Sequence, residues 1–229
     1  MSAFKVQPKF SPLKQERPND GNLHVDGLLA SYMERHVVLE TDANMRKRND
    51  ILDEIRRIFI TWIKQVAKEK HNMSEEEAQG VGGLIFVSGS HRLNVREPGA
   101  DIDTVCVAPN FCTLEDFFSS LKDTLIKHSK VTELVPVETA TVPMIGMEFS
   151  GISIDLLFAR LAENTVHPEL NIFDDSILHN LDPASEKALN GPRVTDMISQ
   201  LVPNYDTFLI VLRCVRKWAK ARGLYGNKL

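Results

Sequence analysis

Two apolar segments of this chain, "GADIDTVCVAP" at 99–109 and "GISIDLLFAR" at 151–160, carry aspartates at positions a strand would bury. Both have the Val, Ile, Leu and Phe content that favours strands. Side chains two apart in a strand face the same side, so Asp101 and Asp103 share a face, about 6.6–6.8 Å apart along it. Asp155 shares a face with Ser153 and is flanked by Ile154 and Leu156. A carboxylate there needs a partner, because burying it alone is very costly. A neighbouring strand carrying Asp101 and Asp103 supplies like charge only, and without a cation at least one group would stay protonated. Divalent metal among all three resolves the conflict. Oxygen-only ligands point to Mg2+ or Mn2+ and away from zinc. Two such carboxylates can reach a pair of ions about 3.5–4 Å apart.

Taken singly, each feature also has a plain structural reading. Asp-x-Asp is common in surface turns, Gly-Ser usually marks a turn, and Asp155 could be a buried, hydrogen-bonded aspartate. Their order carries more: a strand, Gly89-Ser90, then Asp-x-Asp opening a strand, then a carboxylate in a later strand. Gly89 lets backbone approach a phosphate, and the amide and hydroxyl of Ser90 can donate to one.

Around these motifs the pattern predicts an amphipathic helix over 46–70, with Ile51, Ile55, Ile58, Phe59, Trp62, Ile63 and Val66 at helical spacing. "GGLIFVSGS" reads as a short strand ending in a turn. Thr113 and Asp116 form a capping box for a helix over 114–126, with Phe117, Phe118, Leu121 and Leu125 inward. "VPMIGMEFSGISIDLLFARL" reads as a hairpin about Ser150-Gly151. Over 160–200, Pro168, Pro183, Gly191 and Pro192 are expected to break any long element. A last helix, 205–222, places Phe208, Leu209, Leu212, Val215 and Trp218 on one face and ends at Gly223. Strands and helices interleave with at least one hairpin, which predicts a mixed-sheet α+β fold.

Length permits an ample core: 229 residues, 43% of them hydrophobic. No apolar run approaches the ~20 residues of a membrane span, and the polar, Pro-rich start lacks a signal-peptide core. Residues 1–25 read as a disordered arm. Cys106, Cys112 and Cys214 make no CxxC pair or metal spacing, which suits a reducing compartment. A net charge of −4 argues against strong nonspecific nucleic-acid binding by the whole chain. From Arg213 onward, however, the chain carries six basic residues and no acidic one; a solvated helix face is the ordinary reading of such a run.

The order Gly-Ser, Asp-x-Asp and a third acidic strand residue resembles the DNA polymerase β-like nucleotidyltransferase superfamily. Within it, "GSHRLNV…GADIDTVCVAP", "VPMIGMEFSGISIDLLFARL", "ALNGPRVTDMISQLVP" and "LRCVRKWAKARGLY" are similar to the eukaryotic nuclear poly(A) polymerase family, over about residues 30–229. The resemblance implies a polymerase β-like palm over 26–197 with flanking helices, and the start of a helical second domain over 198–229. It implies adenylyl transfer from ATP to RNA 3′ ends with two Mg2+ (or Mn2+) ions, in the nucleus, among mRNA 3′-end processing factors and away from membranes. Asp101, Asp103 and Asp155 would be catalytic and hold metal. Ser88, Gly89, Ser90, Ile102, Asn190, Arg216 and Tyr225 would join them in contacting the nucleotide. The sequence departs from the family's pattern: Arg216 replaces a lysine, Ser88 an aromatic, His91 a tyrosine, Asn94 a glycine and Gly146 a lysine. Uridylyl transfer, CCA addition, and a truncated noncatalytic module binding RNA or a partner are the competing readings. The chain stops before the family's glycine-rich segment and RNA-binding domain, so low activity and an uncovered apolar face on the last helix are expected.

Overall fold

Burial on both faces of a sheet decides this fold. In the computed structural model, which describes residue 17, residues 19–95 and residues 97–225, the chain divides into two compact units, Met1–Val38 and Leu39–Leu229. The first contains α1 (Asp20–His36), opened by reciprocal capping between Asn19 and Asn22. Residues 1–16, the larger part of the expected disordered arm, lie outside the described residues, and residues 20–25 belong to α1.

The second unit runs α2 (Asp42–His71), α3 (Glu75–Gly80), β1 (Leu84–Val87), α4 (Gly89–Arg92) and β2 (Ile102–Ala108). It continues through α5 (Leu114–Asp116), a π-turn (Phe117–Leu121), α6 (Lys122–Ile126), β3 (Val131–Val137), β4 (Met144–Phe149) and β5 (Ile152–Arg160). A 3-10 turn (Asp175–Leu178), α7 (Pro183–Leu201) and α8 (Tyr205–Ala221) complete it. The five strands lie in the order β1-β2-β5-β4-β3. Only β2 and β5 pair in parallel; every other pair is antiparallel. The sheet is mixed, as the hairpin and the interleaved elements predicted.

Alternation then sorts the side chains. Ile102, Cys106, Ile154, Leu156 and Phe158 pack into one core with Ile55, Phe59, Trp62 and Ile63 of α2 and with Phe117, Leu121 and Leu125. On the other face Val105, Val107 and Ala159 pack with Ala188 and Leu189 of α7. Asp103 is in phase with Val105, and Asp155 with Ala159, so both carboxylates belong to the α7 side. The β4–β5 turn uses Ser150 and Gly151 with φ of 52° and 75°, the pair of positive values a two-residue type I′ hairpin requires.

Three expectations are corrected. The segment 160–200 does contain a long element, the 19-residue α7. Pro183 sits in its first turn behind the Asp182 cap, where a missing N–H costs nothing. Gly191 and Pro192 lie inside α7; Pro192 is buried and Gly191 abuts Ser88, so tertiary packing outweighs their poor helix propensity. The second correction is β3, unforeseen because this edge strand is mostly exposed, contains Pro136 and breaks register between Thr132 and Val135. The third is the π-turn inside the expected 114–126 helix, where Ser120 accepts a 2.8 Å bond from the Trp62 indole. Among the described residues no helix is long and apolar enough to cross a membrane.

The two faces of α2 give a direct test. Ile55 is 1% exposed and Ile58 only partly buried. Urea denaturation should show Ile55→Ala losing about 2–5 kcal/mol, the usual range for a buried Ile, and Ile58→Ala losing distinctly less.

Candidate functional site

The site begins with a register. Asp103 of β2 and Asp155 of β5 are direct partners across the parallel ladder. Asp101 sits just before β2 and is exposed, while the other two are half-buried. Each of the three offers a carboxylate oxygen, and these oxygens lie within 4.8 Å of one another. Opposite ligands of a single Mg2+ are about 4.2 Å apart, so this cluster needs little closure to hold divalent metal. No Lys or Arg pairs with any of the three among the described residues. An oxygen-only, triply acidic cluster of this span fits a divalent ion.

The Gly-Ser turn lies against this cluster because the β1–β2 ladder carries it there. The amide of Ser88 donates to the Asp103 carbonyl at 3.0 Å, one step past the paired residues. Gly89 follows with φ +60°, and a Cβ on it would lie 2.4 Å from Asp103 Oδ2. Only glycine allows both the left-handed backbone and that approach. The expected turn is a single helical turn, α4, fastened to α7 at both ends. The Gly89 amide donates to Thr195 Oγ1 at 3.3 Å, and Arg92 Nε donates to Asp196 at 2.6 Å. Ser90 is half-buried in α4, and its carbonyl accepts from the Val95 amide at 3.1 Å.

The remaining expected residues fall at varied distance from the cluster. Ser88 is buried with its hydroxyl against Gly191. Ile102 turns its side chain wholly into the α2 core, so any part it takes in the site belongs to its backbone. Asn190 is exposed on α7, beside Gly191. Helix α8 lies along the segment after the Gly-Ser turn: Tyr205 Oη donates to the Leu93 carbonyl at 3.1 Å, Arg213 to Asn94 at 2.7 Å and Lys220 to Glu97 at 2.7 Å. Arg216 shares that face by helical spacing. Its guanidinium lies 5.0 Å from the centre of the Tyr225 ring, and Lys220 also approaches that ring. Tyr225 thus closes on cations of α8, while Trp218 is 54% exposed. Sequence reasoning missed Thr195 and Asp196, which carry no local motif. It also missed Arg48, whose signal was a charge in phase with the Ile51–Ile55–Phe59 stripe.

Electrostatics reflect the crowding. Burial, then the charge of Asp101, then that of Asp155 raise the Asp103 pKa to about 6. Burial and Asp101 raise Asp155 as well. The raised Asp103 value exceeds the ~3.9 of an unfolded chain, so the folded, metal-free chain binds the extra proton between those values. Its stability from this group therefore increases as pH falls from above 6 toward 4. Metal competes with the same proton. Mn2+ affinity, followed by titration calorimetry, should rise as pH increases from 5 to 7. Asp103→Asn should raise the melting temperature of the metal-free chain at pH 7.5 while removing its stabilisation by Mn2+.

The sequence pattern of the family described as "Poly(A) polymerase nucleotidyltransferase domain" matches residues 10–202. The chain is 43% identical over 210 residues to a poly(A) polymerase of Dictyostelium discoideum, covering 90% of this chain and 26% of that protein. It is 41% identical to nuclear poly(A) polymerase 1 of Arabidopsis thaliana, covering 90% of this chain and 30% of the relative. The chain thus spans between a quarter and a third of these relatives. Among solved structures, a cytoplasmic RNA terminal U-transferase aligns with a TM-score of 0.52 at 12% identity, over 88% of this chain and 48% of its own. Cid1 with the UTP analogue UMPNPP aligns with a TM-score of 0.52 at 11% identity, over the same shares. At such identities these two likenesses concern the fold, the α+β nucleotidyltransferase architecture. The opposed aspartates on β2 and β5, the Gly-Ser turn and the match over most of the chain place it in the poly(A) polymerase nucleotidyltransferase domain family.

Proposed function

We propose that this chain transfers AMP from ATP to RNA 3′ ends, without a template, in the nucleus. The observation that carries the reading is the convergence of three carboxylates beside a glycine turn too close to Asp103 for any side chain. Asp101, Asp103 and Asp155 would hold Mg2+ or Mn2+. Such ions, when bound, lower the pKa of a primer 3′-hydroxyl and neutralise a departing pyrophosphate. The chain's own residues do the rest by binding and orienting. Gly89 and Ser90 offer amide and hydroxyl donors to the triphosphate, as N–H groups of a glycine turn do for anions. Asn190 contacts the nucleotide, and Arg216 with Tyr225 meets the phosphates. Residues 26–197 form the catalytic domain and 198–229 the start of a helical one. RNA ends are the acceptor and mRNA 3′-end processing factors the partners; the nuclear names of the Arabidopsis relatives support this compartment.

Incorporation of labelled ATP into oligo(A), beside UTP and CTP, tests the reading. The expected result is Mg2+- or Mn2+-dependent AMP transfer that Asp155→Ala abolishes with the fold intact by circular dichroism. A preference for UTP or CTP would reassign the base, and no transfer beside retained RNA binding would make the chain a noncatalytic module. Arg216→Ala should raise the apparent KM for ATP by about tenfold, the scale of one charged contact. Arg216→Lys should recover part of that, since an ammonium keeps the charge and loses the fork. Unchanged kinetics in the alanine variant would remove Arg216 from the site.

A further inference from the structure

Of the three aspartates, two are held by the sheet and one is not. Asp103 and Asp155 are fixed by ladder bonds on neighbouring strands. Asp101 precedes β2 at the end of a turn that contains Pro98 and Gly99, the latter at φ +80°. Among the described residues the turn has one internal backbone bond, Ala100 N–H to the Glu97 carbonyl at 3.1 Å. What holds its end is Arg48 of α2, whose Nη2 donates to the Ala100 carbonyl at 2.7 Å. That carbonyl shares a rigid peptide plane with the amide nitrogen and Cα of Asp101. Fixing it therefore fixes where the Asp101 side chain starts.

Arg48 is itself held. It is only 2% exposed. Its Nε and Nη2 both lie 3.0 Å from Glu40 Oε2, and both side chains are 3% exposed. The other Glu40 oxygen accepts from Asn44 Nδ2 at 2.8 Å. A buried ion pair of this kind contributes little net stability, because the cost of removing two charges from water offsets their attraction. A hydrophobic side chain in phase with Ile51 and Ile55 would pack there without that cost. The pair's worth is geometric: a planar guanidinium directs fixed donors to a carboxylate and a carbonyl together, which a point-charge ammonium cannot reproduce.

We propose that the buried Arg48–Glu40 pair is a positioning device for Asp101, seating it against Asp103 and Asp155 so that the three bind a divalent cation. The inference rests on the cation reading of the cluster given above. Arg48 touches neither cation nor nucleotide; it acts through the Ala100–Asp101 peptide.

Mn2+ binding to the 229-residue chain, read from the free-ion electron paramagnetic resonance signal, separates the two claims. Wild type should bind, and Asp103→Asn should lose binding; wild-type affinity in Asp103→Asn would overturn the cation reading and this inference with it. Given a sound cation site, Arg48→Lys and Glu40→Gln should each weaken Mn2+ by about tenfold, while thermal unfolding stays cooperative. Made in an Asp101→Asn background, the same substitutions should weaken Mn2+ no further, because the ligand they seat is gone. Wild-type affinity in Arg48→Lys, or an equal tenfold loss in both backgrounds, would overturn the positioning role. If Arg48→Lys fails to fold, Glu40→Gln is read alone in the two backgrounds and decides by the same criteria.

Discussion

Asp103 opposite Asp155 is the constraint on which the rest of this structure depends. Neighbouring strands with like charges in register are a poor arrangement by themselves, since directly opposed like charges destabilise a sheet. The register is nevertheless unambiguous, because it is set by apolar side chains and not by the aspartates. Ile102, Cys106, Ile154, Leu156 and Phe158 must all meet α2. A slip of one residue would turn β5's set of apolar residues to the α7 side and bring Asp155 to the α2 core. The hydrophobic core thus compels the carboxylates to meet, and the repulsion between them becomes a standing demand for a cation.

The same economy extends to the turn. β1 pairs antiparallel with β2, so its end runs to the aspartate end of β2. Gly89 arrives there because the strand delivers it, and the absence of a Cβ decides whether it can stay. Helix α7 then serves both sides of the site. Its Ala188 and Leu189 cover the sheet face that carries the aspartates, and Thr195 and Asp196, two turns on, hold α4 by the Gly89 amide and Arg92. One helix therefore supplies burial beneath the cluster and restraint beside it. Its interior Gly191 and Pro192 are tolerated where they pack, Gly191 against Ser88 and Pro192 buried.

How far this was legible in the sequence follows from which forces were local. The α2 stripe, the Thr113 cap, the hairpin about Ser150-Gly151 and the facing of Asp103 and Asp155 all rest on short-range periodicity or turn chemistry, and the structure has each of them; Asp101, expected in the same strand as Asp103, instead precedes it on a turn. α7 was illegible because its two helix breakers are outweighed by contacts with Ser88 and the sheet, which no window of sequence contains. β3 was illegible for the opposite reason: an exposed edge strand has little apolar pattern to read. Within the site, the residues that ligate were visible as carboxylates in apolar surroundings. Those that restrain were not, since Thr195 and Asp196 are unremarkable until α7 is folded against α4. Arg48 lies between these cases, a charge on an apolar stripe whose partner, Glu40, lies two helical turns before it.

Two kinds of restraint therefore meet at one cluster, with different physical character. Asp103 and Asp155 are held by backbone ladders inside a core that tolerates little displacement, as close-packed interiors do not deform continuously. Asp101 is exposed and depends on a side-chain fork reaching across from α2. The difference matches the differing burial. A rigid, half-buried pair sets the location of charge, and its proton affinity is raised largely by burial. An exposed third ligand on a turn can shift by tenths of an ångström without disturbing packed atoms. A cluster spanning 4.8 Å needs only such a shift to reach the spacing of ligands about one small cation. Arg48, through the Ala100 carbonyl, ties the turn that carries this ligand to the helix packed beneath the sheet.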